Sequence, residues 1–192
     1  VSHYSQGSVA AIGNGNQIMN IIILVLSSMT VATTVLISRY FGAGDPEKAK
    51  SVSNASIYSL SFFSIVVTLL IYGFQRPLFQ WLQVPNDILD ETCSYTVIVS
   101  TCILIQAIYM VFASILRSHK LMKYVTFVAI IMNTLNILGN AILINGLFGF
   151  PRLGIIGAAI STNISKFIGL VIIILVFLKK TNMGLGFLNL KY

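Results

Sequence analysis

The chain has 192 residues, 56% of them hydrophobic and 9% charged, with a mean hydropathy of +0.89. Soluble domains average about 25% charged residues, so 12 basic and 5 acidic side chains cannot cover a soluble surface of this length. Composition excludes an ordinary soluble enzyme, a disordered tail and a nucleic-acid module; it points to an integral membrane protein whose net charge of +7 belongs to its loops.

The charge-free run 1–38 predicts a first membrane helix over about 14–38, since a span needs about 20 mostly apolar residues. Asn16, Asn20, Ser27, Thr30 and Thr34 form a polar stripe along it. Opening on Val1, the chain reads as a piece of a longer protein. Gly42 and Gly44 predict the turn that ends the helix. Asp45 then caps the next one, with Pro46 in its first position. This turn lacks the Gly-Lys-Ser/Thr ending of a phosphate loop.

The run 51–75 predicts a second helix over 52–74. After it, Arg76 and Trp81 flank residues 77–80, which read either as a short interfacial helix or as a plain loop. The run 92–116 predicts a third helix. It holds Cys102 and Cys93, too few for a disulfide framework and without zinc-ligand spacing. A fourth helix is predicted over 124–146, where Asn133, Asn136 and Asn140 follow a 3,4 step. A fifth, over 154–178, opens with small residues (Gly154, Gly157, Ala158, Ser161) that let helices pack closely. It carries Lys166, the one charge inside a span. Phe187, Leu188 and Leu190 suggest a tail along the interface or a linker. Apolar runs such as 21–26 do not alternate as barrel strands do. All four prolines fall in predicted connections.

Basic residues in successive connections and the tail number three, one, three, one and three. By the positive-inside rule the N-terminus lies outside and the C-terminus in the cytoplasm. The five predicted spans contain no Asp, Glu or His, so no membrane enzyme is supported: there is neither a base, a nucleophile–base pair nor a metal cluster. His3 and His119 read as solvated histidines. The in-span asparagines are read either as hydrogen bonds between helices or as the lining of a polar or ion site. Lys166 should face the interior and pair with a carboxylate or helix carbonyls, and no such carboxylate lies in these spans.

Four motifs then carry a resemblance: residues 8–13, the Ser-Arg-Tyr-Phe-Gly-Ala-Gly-Asp run at 38–45, Asn136 to Asn140 with residues 144–149, and Gly154 to Thr162. In that order they resemble the multidrug and toxic compound extrusion (MATE) family of secondary antiporters. The resemblance implies an all-α membrane protein made of helices two to six of the N-terminal lobe, in a twelve-helix transporter of two six-helix lobes. The first helix and the second lobe would then belong to the remainder of the polypeptide. It further implies a multi-pass protein of the cell membrane that exports cationic amphipathic compounds in exchange for Na⁺ or H⁺, with no cofactor. Carried over by motif, the family's ion-site positions fall on Asn136, Asn140 and Thr162, with Asn133, Asn20 and Lys166 expected to line the cavity. Position 140 is Asn where one branch has Asp. An amide carries no proton at physiological pH, but its carbonyl binds a hard cation, which leans toward Na⁺. Two other readings are a flippase for lipid-linked oligosaccharides, which calls for several cavity Arg or Lys, and a non-transporting membrane scaffold.

Overall fold

A computed structural model of the chain describes residues 6–146 and 153–181. It contains six helices: α1 (Gln6–Gly42), α2 (Pro46–Trp81), α3 (Asn86–Ser100), α4 (Ile103–Ser118), α5 (Met122–Asn145) and α6 (Gly154–Lys180). Five membrane-length stretches run through them at 16–42, 46–81, 88–118, 122–144 and 156–180, the third crossing from α3 into α4. His3, Arg152, residues 147–149 and the tail bearing Phe187 lie outside the described residues.

The first turn follows from its sequence. Gly44 adopts φ +75, which glycine tolerates without strain. The Asp45 side chain accepts from the Lys48 backbone N–H at 3.1 Å, capping α2 with Pro46 at its first position. At the other end α2 runs on to Trp81 with Pro77 inside it, so residues 77–80 are not a separate interfacial helix and Pro77 is not in a connection. Pro77 stands four residues from the end of α2, where one missing N–H interrupts little helix. Trp81 closes the helix at 78% exposure.

The third predicted helix is broken. The Cys102 N–H bonds back to Val99 O rather than to Ile98 O, and α3 gives way to α4 there. Neither Pro nor Gly is present. The hydroxyls of Ser100 and Thr101 bond back to Val97 O and Ile98 O at 2.9 and 2.6 Å, the competition with backbone pairing that bends helices.

α4 is the most enclosed segment: Ala107, Val111, Ala113, Ser114, Ile115 and Leu116 are all buried. It lies against α1, α2 and α6, while α5 packs mainly on α6. Apolar side chains such as Phe62, Leu69, Phe127 and Ile137 point outward at 60–71% exposure, suited to lipid.

The bundle has two chemically distinct ends. Where α1 and α4 end and α5 begins, Phe41 packs edge-on against His119 and Ser118 donates to Thr34 O. Lys180 lies over the Tyr124 ring at this same end. Arg39, Lys48, Lys50, Arg117, Lys120, Lys123, Lys179 and Lys180 therefore gather there. At the far end Arg76 of α2 bonds Asp90 of α3 at 2.9 Å.

Candidate ion site and an adjoining groove

α5 and α6 approach closely because glycine lies on both surfaces. A Cβ at Gly139 would collide with the Ser161 side chain, and one at Gly157 would sit 2.7 Å from Leu143 O. That proximity brings three of the expected residues together. Asn136 Nδ2 donates to Thr162 Oγ1 at 3.0 Å, and Asn140 Nδ2 donates to Asn136 Oδ1 at 3.2 Å. Thr162 itself donates to Ala158 O, and Ser161 donates to Asn136 O. One oxygen is left over: Asn140 Oδ1 is buried and has no protein donor. A buried amide oxygen without a donor is costly. With Asn136 Oδ1 and Thr162 Oγ1, both already in hydrogen bonds, it makes three neutral side-chain oxygens on residues linked by hydrogen bonds across α5 and α6, the donor type that a hard cation takes. Among the described residues no group of His, Cys, Asp and Glu could hold a transition metal.

The other three expected residues lie elsewhere. Asn133 is exposed, because Met132 takes the position facing Gly169 of α6. Asn20 is exposed beside Met19, which is buried at 4% exposure. Neither lines the groove between α1, α4 and α5. Lys166 is half-buried one helical turn past Thr162, within electrostatic reach of Cys102 at the start of α4. Among the described residues its ammonium has no ion pair or hydrogen bond.

Sequence reasoning missed Asn163. Its Nδ2 donates to Ile98 O at 2.7 Å and to Thr101 Oγ1 at 3.2 Å, supplying the carbonyl that the helix break leaves without a backbone partner. Adjacent hydroxyls at 100 and 101 were the available signal, but an amide 62 residues away was not.

The first-helix stripe divides. Asn16 accepts from the Tyr95 hydroxyl at 3.0 Å. Ser27, Thr30 and Thr34 line a groove of about 520 Å³ between α1, α4 and α5. Their hydroxyls are largely satisfied internally: Thr34 meets Ser114 at 2.6 Å and donates to Thr30 O, and Thr30 bonds Leu26 O and Ser27 O.

Known proteins resemble this chain in sequence and fold. The MatE family model matches residues 1–142. The chain is 37% identical over 186 residues to the uncharacterized transporter YisQ of Bacillus subtilis, covering 97% of this chain and 41% of that protein. It is 28% identical to the probable multidrug resistance protein NorM of Thermotoga maritima, covering 94% of this chain and 39% of the relative. The chain thus spans about two-fifths of the length of these curated relatives. In three dimensions it superposes on the crystal structure of MATE in the bent conformation with a TM-score of 0.85, at 23% identity, over 93% of this chain and 39% of that one. That likeness shows the shared fold.

Proposed function

Because the chain belongs to the MATE family, whose members are multi-pass membrane transporters rather than enzymes, we propose that it forms much of one lobe of an ion-coupled exporter of amphipathic organic compounds. In this reading the coupling ion binds at Asn136, Asn140 and Thr162. The single observation that carries it is the buried Asn140 Oδ1, left without a donor beside two further side-chain oxygens.

The same chemistry separates the candidate ions. An amide accepts a cation through its carbonyl but cannot take up a proton at neutral pH. The five spans predicted from the sequence hold no carboxylate, so these residues favour Na⁺ over H⁺. The exported compounds are proposed to be cationic, as the family resemblance implies. Their acidic contact then comes from parts of the polypeptide beyond these spans. By the positive-inside rule the basic end faces the cytoplasm.

The mechanism is a population shift. Na⁺ bridging α5 and α6 stabilises whichever arrangement holds these oxygens together, and substrate leaves from the arrangement that Na⁺ prefers. A flippase for lipid-linked oligosaccharides is less well supported: Lys166 is the one basic residue deep within the spans. A scaffold in which the asparagines only join helices predicts no ion effect. The test is the full-length protein in vesicles under imposed gradients. An inwardly directed Na⁺ gradient is expected to drive efflux of a cationic dye, and Asn140→Ala is expected to abolish the Na⁺ effect while the protein still assembles. Efflux indifferent to both Na⁺ and pH gradients rejects the antiporter reading.

A further inference from the structure

We infer that Asn163 is a positioning residue for the ion site: it ties α6 to the break between α3 and α4, and so sets the rotation of α6 that points Thr162 at Asn136. The role rests on the reading of Asn136, Asn140 and Thr162 as the Na⁺ site.

Three consecutive residues of α6 reach in two directions. Ser161 donates to Asn136 O at 3.1 Å, and Thr162 Oγ1 accepts from Asn136 Nδ2 at 3.0 Å, both toward α5. Asn163 turns away from α5. Its Nδ2 donates to Ile98 O in the last turn of α3 and to Thr101 Oγ1 at the C-cap, at 2.7 and 3.2 Å. Successive residues turn by about 100° around a helix axis, so Ser161 and Asn163 face nearly opposite flanks of α6.

The grip on the second flank is directional. Ile98 O is available because the Cys102 N–H bonds to Val99 O instead. Thr101 Oγ1 donates to that same Ile98 O at 2.6 Å. Amide, hydroxyl and carbonyl are thus each bonded to the other two, which fixes the direction of the amide. On the α5 flank, the glycines at 139 and 157 set how near the two helices lie. The Asn163 bonds oppose rotation of α6 from the other side. Side-chain atoms stand about 5 Å from a helix axis, so turning α6 by roughly 10° moves Thr162 Oγ1 by about 0.9 Å. That exceeds the tolerance of a ligand around a bound cation, about 0.5 Å. Groups that orient a ligand without touching the ion set affinity in this way.

The test is calorimetric titration of Na⁺ into the purified full-length protein, well below its melting temperature. Asn163→Leu removes both donated bonds, together with an amide oxygen that is buried without a donor. It is expected to weaken Na⁺ binding about tenfold, the lower end of the range for losing an outer-shell partner, with the number of sites per protein unchanged. A merely structural role would reduce the number of sites and leave the affinity of those remaining as it was; that outcome overturns the proposal. Thr33→Val controls for general loosening. It removes the 3.0 Å bond from α1 to Ser56 of α2, and its Na⁺ affinity is expected to match that of the unaltered protein. Equal losses of affinity in Thr33→Val and Asn163→Leu also overturn the proposal. Should Asn163→Leu fail to assemble, Thr101→Val carries the test: it takes away one of the two acceptors and is expected to weaken Na⁺ about threefold, within the range for one neutral hydrogen bond. Undiminished affinity in the variant that carries the test, while Asn140→Leu weakens binding, overturns the positioning role and leaves the ion site standing. Absence of Na⁺ binding by the unaltered protein overturns both.

Discussion

Asn136 of α5 and Thr162 of α6 are joined by a hydrogen bond of 3.0 Å, and the side-chain oxygen Oδ1 of Asn136 accepts from the Asn140 amide one turn on. Thr162 is therefore both a structural partner and a candidate ion ligand. Thr162→Val keeps the shape and removes the hydroxyl. It is expected to cost about 0.6–1.7 kcal/mol of stability, the range for such bonds in membranes, and to abolish Na⁺-dependent transport. Thr162→Ser restores the oxygen and is expected to recover most of the coupling. Thermal melting together with gradient-driven efflux separates the two effects.

Glycine at 157 is required by distance, since a Cβ there meets Leu143 O at 2.7 Å. That oxygen is also held by the Leu153 N–H at 3.1 Å, so it cannot easily move away. Gly157→Ala is expected to destabilise the protein by about 1–3 kcal/mol through overpacking and to separate the Asn136–Thr162 pair. Gly73 of α2 has nothing within 4 Å of its would-be Cβ. There Gly73→Ala is expected to be stabilising by up to about 1 kcal/mol, through helix propensity alone. Melting temperatures in detergent compare the two directly.

Lys166 contributes a positive charge to a membrane helix without a partner among the described residues. Replacing an unpaired buried charge with an apolar side chain of similar length removes a desolvation cost. Lys166→Met is accordingly expected to raise the melting temperature of the full-length protein. A lowered melting temperature would mean that an acid elsewhere in the polypeptide pairs with this ammonium.

At the α1–α2 turn, the ammonium and backbone N–H of Lys48 hold the Asp45 carboxyl below its ordinary value. A carboxyl with a depressed folded-state pKa adds stability that is complete at neutral pH, begins to fade as pH falls below the unfolded-chain value, and is gone below the folded one. Asn at this position still caps the helix but does not titrate. Unaltered protein is thus expected to melt higher than Asp45→Asn at pH 7, with the two converging in acid. The difference is small because the group is solvent-exposed.

Charge spacing made the spans legible, because each helix end must leave the bilayer where ionisable residues begin. The Asp45 cap and the small-residue face of α6 could be read for the same local reason: both depend on neighbours within a few residues. Pro77 was misjudged because proline was treated as a boundary, whereas near a helix end its missing N–H costs little. The break at Cys102 was missed because its cause is shared between the hydroxyls of Ser100 and Thr101 and the distant amide of Asn163. Asn136, Asn140 and Thr162 were found through family resemblance, and the structure brought them into contact. Periodicity alone also placed Asn133 in that stripe, but it could not reveal that Met132 occupies the contact with Gly169.

The ion site is tested most directly by calorimetric titration of Na⁺ into the purified full-length protein, unaltered and as Asn140→Leu. The expected result is saturable Na⁺ binding by the unaltered protein and at least a tenfold loss of affinity in a variant that still melts cooperatively. Undiminished Na⁺ affinity in folded Asn140→Leu, or no Na⁺ binding by the unaltered protein, contradicts a Na⁺ site at Asn136, Asn140 and Thr162.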